Sequence, residues 1–226
     1  MSGAKWRLPL VERLVASAMG PEVHTHRMIL RPLRPSDFLA WQEVRRRCAQ
    51  WLLPWEPARP SGTADAVEVR RAFEARCEQR DRERTAGLSA GFGMFVDGRF
   101  AGECNLNNIT RGAQQSANVG YWIDERFAGQ SLMPEAVVGA CAHSFGVLGL
   151  HRLEICIVPR NAASRRVVEK IGVRSEGVAL RFLEINGIWE DHVRYAITAE
   201  EWAEREAEFT GRWLNPPQPP KSRPAS

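Results

Sequence analysis

Residues 118–136, NVGYWIDERFAGQSLMPEA, put an apolar strand pattern, a small-residue turn and a helix start in direct succession. The first N–H groups of a helix have no partner inside it, and they stand at the positive end of its dipole. A strand that runs through a glycine turn into such a start is a ready site for an anion. Ser131 stands where a second glycine is expected, yet its side chain is small and its hydroxyl can donate. Neither G-x-x-x-x-G-K-[ST] nor G-x-G-x-x-G occurs in the chain, so this is neither a nucleoside triphosphate loop nor a dinucleotide fingerprint.

The pattern around this unit sets the fold class. HRMILRPLRPSDF reads as a first strand and a turn, with Ser36 or Asp37 capping a helix to about Gln50. WLLPWEPARP, with three prolines and two tryptophans, reads as an ordered irregular loop, and a charged helix follows over about 64–84. GFGMFV and RFAGECNLNNI form a hairpin through Asp97-Gly98, a type I′ signal, and NVGYWID is the next strand. A helix over 132–147, the strand RLEICIV, a helix NAASRRVVEKIG closed by Gly172, and a hairpin through Asn186-Gly187 complete the order. The expected architecture is α/β, a mixed and mostly antiparallel seven-stranded sheet with helices on both faces.

A chain of 226 residues suits one domain with appendages. The reading gives an N-terminal extension over 1–22, a domain over 23–203, and a helix end with a proline-rich disordered tail over 204–226. Leu10, Val11, Leu14, Val15 and Ala18 recur at helical spacing, which predicts a helical extension. No run reaches the length of a membrane span, and Pro9, Glu12 and Arg13 make the N-terminus a poor secretory signal. Five scattered cysteines suit neither a disulfide framework nor a zinc site, and they point to a reduced, cytoplasmic compartment. His24 and His26 would share one strand face but lack a third ligand nearby, so no metal is expected. The net charge is +4, and clusters such as Arg45-Arg46-Arg47 lie in segments that also carry acids. Solvated helix faces explain them, and no direct nucleic-acid recognition is expected.

With this element order, RFAGQS at the helix start resembles the GNAT family of acetyl-CoA-dependent N-acetyltransferases. The signature [RQ]-x-x-G-x-[GA] is met by Arg126 and Gly129, with Ser131 in the last place. A second signature, N-x-x-S followed by E-K-x-G, is met by Asn161, Ser164, Glu169, Lys170 and Gly172. PWEP at 54–57, GQSLMPEA, and INGIW followed by DHV over 185–193 are similar to the RimJ-type ribosomal-protein N-terminal acetyltransferases. The likeness covers about 24–198. It implies the GNAT fold with a splayed strand pair, in keeping with Gly120 inside the strand, and acetyl-CoA as co-substrate. It also implies transfer of acetyl to the N-terminal α-amine of a protein, by this likeness a ribosomal one.

The resemblance also assigns candidate roles. Amides from Arg126 through Gly129 to Leu132 would hold the CoA pyrophosphate, with hydrogen bonds added by the side chains of Gln130 and Ser131. Backbone groups of Tyr121, Trp122 and Ile123 would line the pantetheine and supply the oxyanion donor. Ser164 would protonate the leaving thiolate and Asn161 would hold the thioester end, although both also suit a helix N-cap and first turn. Arg165 and Arg166 would reach the 3′-phosphate or simply face solvent. Alternation along RFAGECNLNNI places Glu103, Asn105 and Asn107 opposite Phe100, Cys104 and Leu106, which makes Glu103 either a base or the ordinary polar side of a strand. His192, Asp191 and Glu184 have weaker claims, and the base is left unassigned. Trp51, Trp55 and Trp189 would flank the acceptor. Two other functions fit the same residues: a small-amine or antibiotic N-acetyltransferase, which needs an acidic pocket, and a CoA-binding, ribosome-associated factor without turnover.

Overall fold

Buried residues alternate with exposed or half-buried ones along Met28–Arg31 and along Arg152–Ile157, the mark of strands with one face in a core. The computed structural model describes residues 16–17, 20–58, 62 and 64–214. A short antiparallel pair, β1 (Ala16–Ser17) and β2 (Gly20–Pro21), precedes the main sheet. The main sheet holds eight strands: β3 (Val23–His24), β4 (Met28–Arg31), β5 (Ala90–Val96), β6 (Arg99–Thr110), β7 (Ser116–Ile123), β8 (Arg152–Ile157), β9 (Arg174–Ile185) and β10 (Ile188–Thr198). Their order is β3-β4-β5-β6-β7-β8-β10-β9. The strand beyond the expected seven is β3, two residues paired with β4 and too short to carry a periodicity.

Several expectations near the N-terminus change. Most of the helix predicted around 10–18 falls outside the described residues, and the described Ala16–Ser17 are extended and paired. His26 lies past the end of β3, so it shares no strand face with His24, whose Nε2 is 3.6 Å from Glu22.

Helices cover both faces. On one side α1 (Phe38–Arg47), α2 (Ala49–Leu52) and α3 (Arg70–Thr85) bury Phe38, Trp41, Leu52, Phe73 and Cys77 against Phe95 and Phe100. On the other, α4 (Leu132–Gly146), α5 (Ala162–Ile171) and α6 (Ala199–Phe209) close the larger core. The α4 sequence is apolar nearly all round, as a central helix requires. WLLPWEPARP is more regular than its prolines suggest: α2 ends inside it and Pro54 sits in the first turn of a 3-10 helix, Leu53–Trp55, where a missing N–H costs nothing. In contrast α3 starts later than 64, because Asp65 accepts from the Val67 amide and holds a turn. Packing also continues past residue 203, through α6 and a π turn, Thr210–Leu214, that buries Trp213 and Leu214. The proline-rich tail lies outside the described residues. Among these residues no helix is long and apolar enough to cross a membrane.

Two irregularities shape the centre of the sheet. The first is the parallel pair β7–β8, joined by the α4 crossover, which is paired only at Ser116, Ala117 and Asn118. From Val119 onward β7 keeps only its partner β6, while β8 stays paired with β10 along its whole length. The second is a bulge in β6, where Phe95 pairs with Phe100 but Met94 with Gly102. The extra residue turns Phe100 to the α1 side, the same face as Glu103, and so corrects the simple alternation expected from sequence. Gly102 has φ 146°, and a Cβ there would lie 2.3 Å from the Trp122 carbonyl oxygen. Gly102→Ala should therefore lower folding stability by about 3 kcal/mol, read from the urea midpoint. An unchanged midpoint would show that the bulge is dispensable.

Candidate active site

The strand–turn–helix unit is built as a chain of spent and unspent amides. At the end of β7 the buried Asp124 accepts from the Arg126 amide (2.9 Å), and its backbone carbonyl accepts from the Phe127 amide (2.9 Å). Ala128 donates to the Glu125 carbonyl at 3.1 Å. Amides 126–128, at the front of the expected phosphate loop, are thus used by the 3-10 turn Glu125–Phe127. The amides of residues 129–133 have no backbone acceptor among the described residues. Pro134 then has no N–H to offer. The run of amides without a backbone acceptor is shorter than the sequence suggested, and it lies over the start of α4.

The turn is left-handed where it must be. Gly129 has φ 77°, and a Cβ there would meet nothing within 4 Å, so the loop is open on that side. Ser131 has φ 60° as the N-cap of α4, without a side-chain cap bond. A serine held there is strained by about 1–2 kcal/mol relative to glycine. Its hydroxyl accepts from Lys170 Nζ at 2.8 Å, which brings a cation from the end of α5 to the loop. Gln130 turns its amide back to the Arg126 carbonyl (2.9 Å), and the Arg126 guanidinium lies exposed, 3.9 Å from Glu43. Leu132 is buried in the main core.

Across the gap, Tyr121 and the start of α5 meet. Asn161 caps α5 by accepting from the Ser164 amide at 3.0 Å. Ser164 Oγ donates to Tyr121 Oη at 3.0 Å, and Tyr121 Oη donates to the Ser164 carbonyl at 3.2 Å. Burial pushes the Tyr121 hydroxyl well above the usual phenol range, with the Ser164 bond opposing it, so it keeps its proton. Ile123 is half-buried against the same core. Trp122 faces the other way, 5.7 Å from Phe100 and 5.0 Å beneath the Arg45 guanidinium. Arg166 is exposed, and Arg165 is turned to Tyr195 Oη at 3.3 Å.

The second face carries the remaining candidates. Trp51 packs against the smaller core, and the Arg160 guanidinium lies 4.8 Å over Trp55. Trp189 is 61% exposed on the β9–β10 hairpin, which meets the loop after α2 where the Asn186 amide donates to the Glu56 carbonyl at 2.9 Å. Glu56 is paired with Arg45 and Glu190 with Arg160. His192 is buried, with Nδ1 2.9 Å from the Glu190 carbonyl, while Asp191 accepts from the Arg181 amide and Glu184 faces solvent.

Glu103 is fully engaged. Its oxygens accept from Trp41 Nε1 (2.8 Å), an Arg76 guanidinium nitrogen (2.6 Å) and Asn105 Nδ2 (3.3 Å). Burial pushes its carboxyl up, but the Arg76 charge and these hydrogen bonds outweigh it and hold the group below its ordinary range.

Three residues at the turn into α4 had no role in the sequence reading: Arg27, Glu135 and Thr25. Glu135 is 1% exposed in the first turn of α4, paired with Arg27 at 2.7 Å and accepting from Thr25 Oγ1 at 2.6 Å. A lone acid inside the apolar run LMPEAVVGACA was the available signal. Asp124 has an equivalent partner, a two-nitrogen fork from Arg47 at 2.8 Å each.

The profile of the acetyltransferase (GNAT) domain matches residues 27–174. The chain belongs to the GNAT acetyltransferase family. Mycobacterium smegmatis RimJ, solved in complex with CoA-disulfide, is 33% identical with a TM-score of 0.76, over 85% of this chain and 94% of that one. The ribosomal-protein-S5-alanine acetyltransferase from Vibrio fischeri is 27% identical with a TM-score of 0.72, over 80% and 98%. The ribosomal protein uS5-alanine N-acetyltransferase of Escherichia coli is 28% identical over 186 residues, 79% of this chain and 91% of that protein. A stretch of 66 residues is 47% identical to the probable N-acetyltransferase YjcK of Bacillus subtilis, and it takes in 36% of that protein's length.

Because Glu103 titrates below its ordinary value, its contribution to folding is complete above about pH 4.3 and is lost as the pH falls through the lower native value. Glu103→Gln should cost about 2 kcal/mol at neutral pH, since it strands a partly exposed arginine, and should flatten the acid limb of stability against pH. An acid limb identical to that of the parent chain would remove Glu103 from this account.

Proposed function

We propose that this GNAT protein transfers acetyl from acetyl-CoA to the N-terminal α-amine of a protein, a ribosomal one by its likeness to the alanine N-acetyltransferases. The observation that carries the reading is the opening of β7 from β8 after Asn118, which leads to the unspent amides at the start of α4. The residues suit the co-substrate: amides 129–133 have no backbone acceptor among the described residues, the loop is open at Gly129, and Lys170 adds a cation for a pyrophosphate. Bound there, acetyl-CoA supplies an activated thioester.

This chain's residues would then act as follows. N–H groups of β7 beyond Asn118, without a ladder partner on β8, would donate to the carbonyl oxygen as it gains charge. Asn161 spends its Oδ1 on the cap, and its Nδ2, which has no hydrogen-bond partner among the described residues, would hold the thioester end. As the C–S bond breaks, Ser164 would turn its hydroxyl from Tyr121 to the departing thiolate, and the proton lost by the acetylated amine would return to it through water. Glu103 would hold α1 and α3 to the sheet, because its oxygens are already taken and its low pKa makes it a poor proton acceptor. Trp55, Trp122 and Trp189 would line the acceptor side. On that wall Glu56 and Glu190 are neutralised by arginines, which disfavours a polycationic small amine. Free thiols at all five cysteines suit the expected cytoplasmic setting.

With amides as the anchor, Ser131→Gly should keep CoA affinity within a few-fold, whereas Ser131→Leu should weaken it at least a hundredfold by placing bulk against the phosphate. Calorimetric titration with CoA checks both, and normal binding by the leucine variant would move the phosphate site elsewhere.

Without a dedicated base, the enzyme should depend on acceptors that are already partly neutral. Near pH 7.5 an α-amine is about one-third neutral and a lysine about one part in a thousand, a gap of roughly 300-fold. A competition between an alanine-initiated peptide and the same peptide with a blocked N-terminus and a free lysine should favour the first by at least that factor. Its rate should rise with pH through the α-amine pKa. Equal acetylation of the lysine peptide would sink the N-terminal reading.

A further inference from the structure

Arg27 sits outside both signature motifs, yet it touches the candidate phosphate loop at two successive carbonyls. Its Nη1 donates to the Gln130 carbonyl at 2.9 Å and its Nη2 to the Ser131 carbonyl at 3.2 Å. In a trans peptide the carbonyl and the following N–H point in opposite directions. A fork that draws the carbonyls of 130 and 131 to one side therefore turns the amides of Ser131 and Leu132 to the other. These are two of the five amides without a backbone acceptor among the described residues.

The fork is itself fixed. Arg27 Nε donates to Glu135 Oε2 at 2.8 Å and Nη2 lies 2.7 Å from the same oxygen. Glu135 Oε1 accepts from the Arg27 amide (2.7 Å) and from Thr25 Oγ1 (2.6 Å). Planar, five-donor geometry is what allows one side chain to serve a carboxylate and two carbonyls together, and an ammonium lacks it. A buried carboxylate in the first turn of α4 would by itself repel an anion at that helix start. The arginine answers that charge at the same time.

We infer that Arg27, held by Glu135 and Thr25, is a positioning residue that aims the amides of Ser131 and Leu132 at the pyrophosphate of CoA. The inference rests on the reading of this loop as the CoA site, and the experiment separates the two. Removing Arg27 alone would leave Glu135 buried and uncompensated, which endangers the fold. The decisive variant is Arg27→Ala with Glu135→Gln, in which the amide oxygen still accepts from Thr25 and no lone charge remains. Affinities are measured for CoA and, by displacement of CoA, for inorganic pyrophosphate and for pantetheine, which carries no phosphate.

The double variant should bind CoA at least tenfold more weakly and lose pyrophosphate binding, while its affinity for pantetheine stays within about threefold of the parent value. Arg27→Lys should weaken CoA in the same direction by a smaller factor, since one ammonium cannot span both carbonyls. Unchanged CoA affinity in the double variant overturns the inference. So does a parallel loss of CoA and pantetheine, which would mark a general loosening of the domain. Failure of the parent chain to bind CoA at all would overturn the site reading together with it.

Discussion

A parallel strand pair that stops after three residues is the constraint on which the rest of the site depends. Ser116, Ala117 and Asn118 pair with β8, and the next residues of β7 do not. A strand in the middle of a sheet that loses one partner would normally be closed by water or by another chain segment. Here the two sides are tied instead at other places. Beyond the break, Tyr121 reaches the first turn of α5 through Ser164, and β8 is held from its far side by β10 over Arg152–Ile157. The gap is therefore a defined shape with fixed walls, suited to a narrow chain lying between strands.

Arginines paired with buried acids lock the parts around that gap. Asp124 is gripped by Arg47 of α1, Glu135 by Arg27 from the β3–β4 corner, and Glu103 by Arg76 of α3. Each pair joins a surface helix or the edge of the sheet to the strand or helix that frames the site. Such pairs add little net stability, because burying both charges costs about what their attraction returns. What they give is orientation. At Asp124 and Glu135 two guanidinium nitrogens fix an angle as well as a distance, which fits a chain whose bases are almost all arginine.

The order of elements was legible in the sequence because its signals are local. Asp97-Gly98 and Asn186-Gly187 carry the positive φ values that their hairpins require, and Gly172 closes α5 in the left-handed conformation. The turn proposed to hold phosphate was legible as a strand, a glycine and a helix start. Its true extent was not, since only the fold shows Asp124 taking the first of those amides. The bulge at Gly102 was hidden for a similar reason. An extra residue in one strand is defined against its partner strand, and the alternation of Phe100, Glu103 and Cys104 read alone gives no sign of it. Arg27 and Glu135 lie 108 residues apart, so no local pattern could join them.

Ser131 shows how these levels meet. Its backbone is in a conformation that glycine would adopt freely, and strain of this kind persists only where the surroundings over-determine it. Arg27 pulls its carbonyl from one side and Lys170 holds its hydroxyl from the other. The strained residue is thus fixed at three points: its φ, its carbonyl and its side chain. A glycine would relieve the strain but release the third, giving the loop more freedom before a ligand arrives. Serine gives up some folding energy for a loop held in one shape, and a preorganised loop loses less entropy in any binding it takes part in.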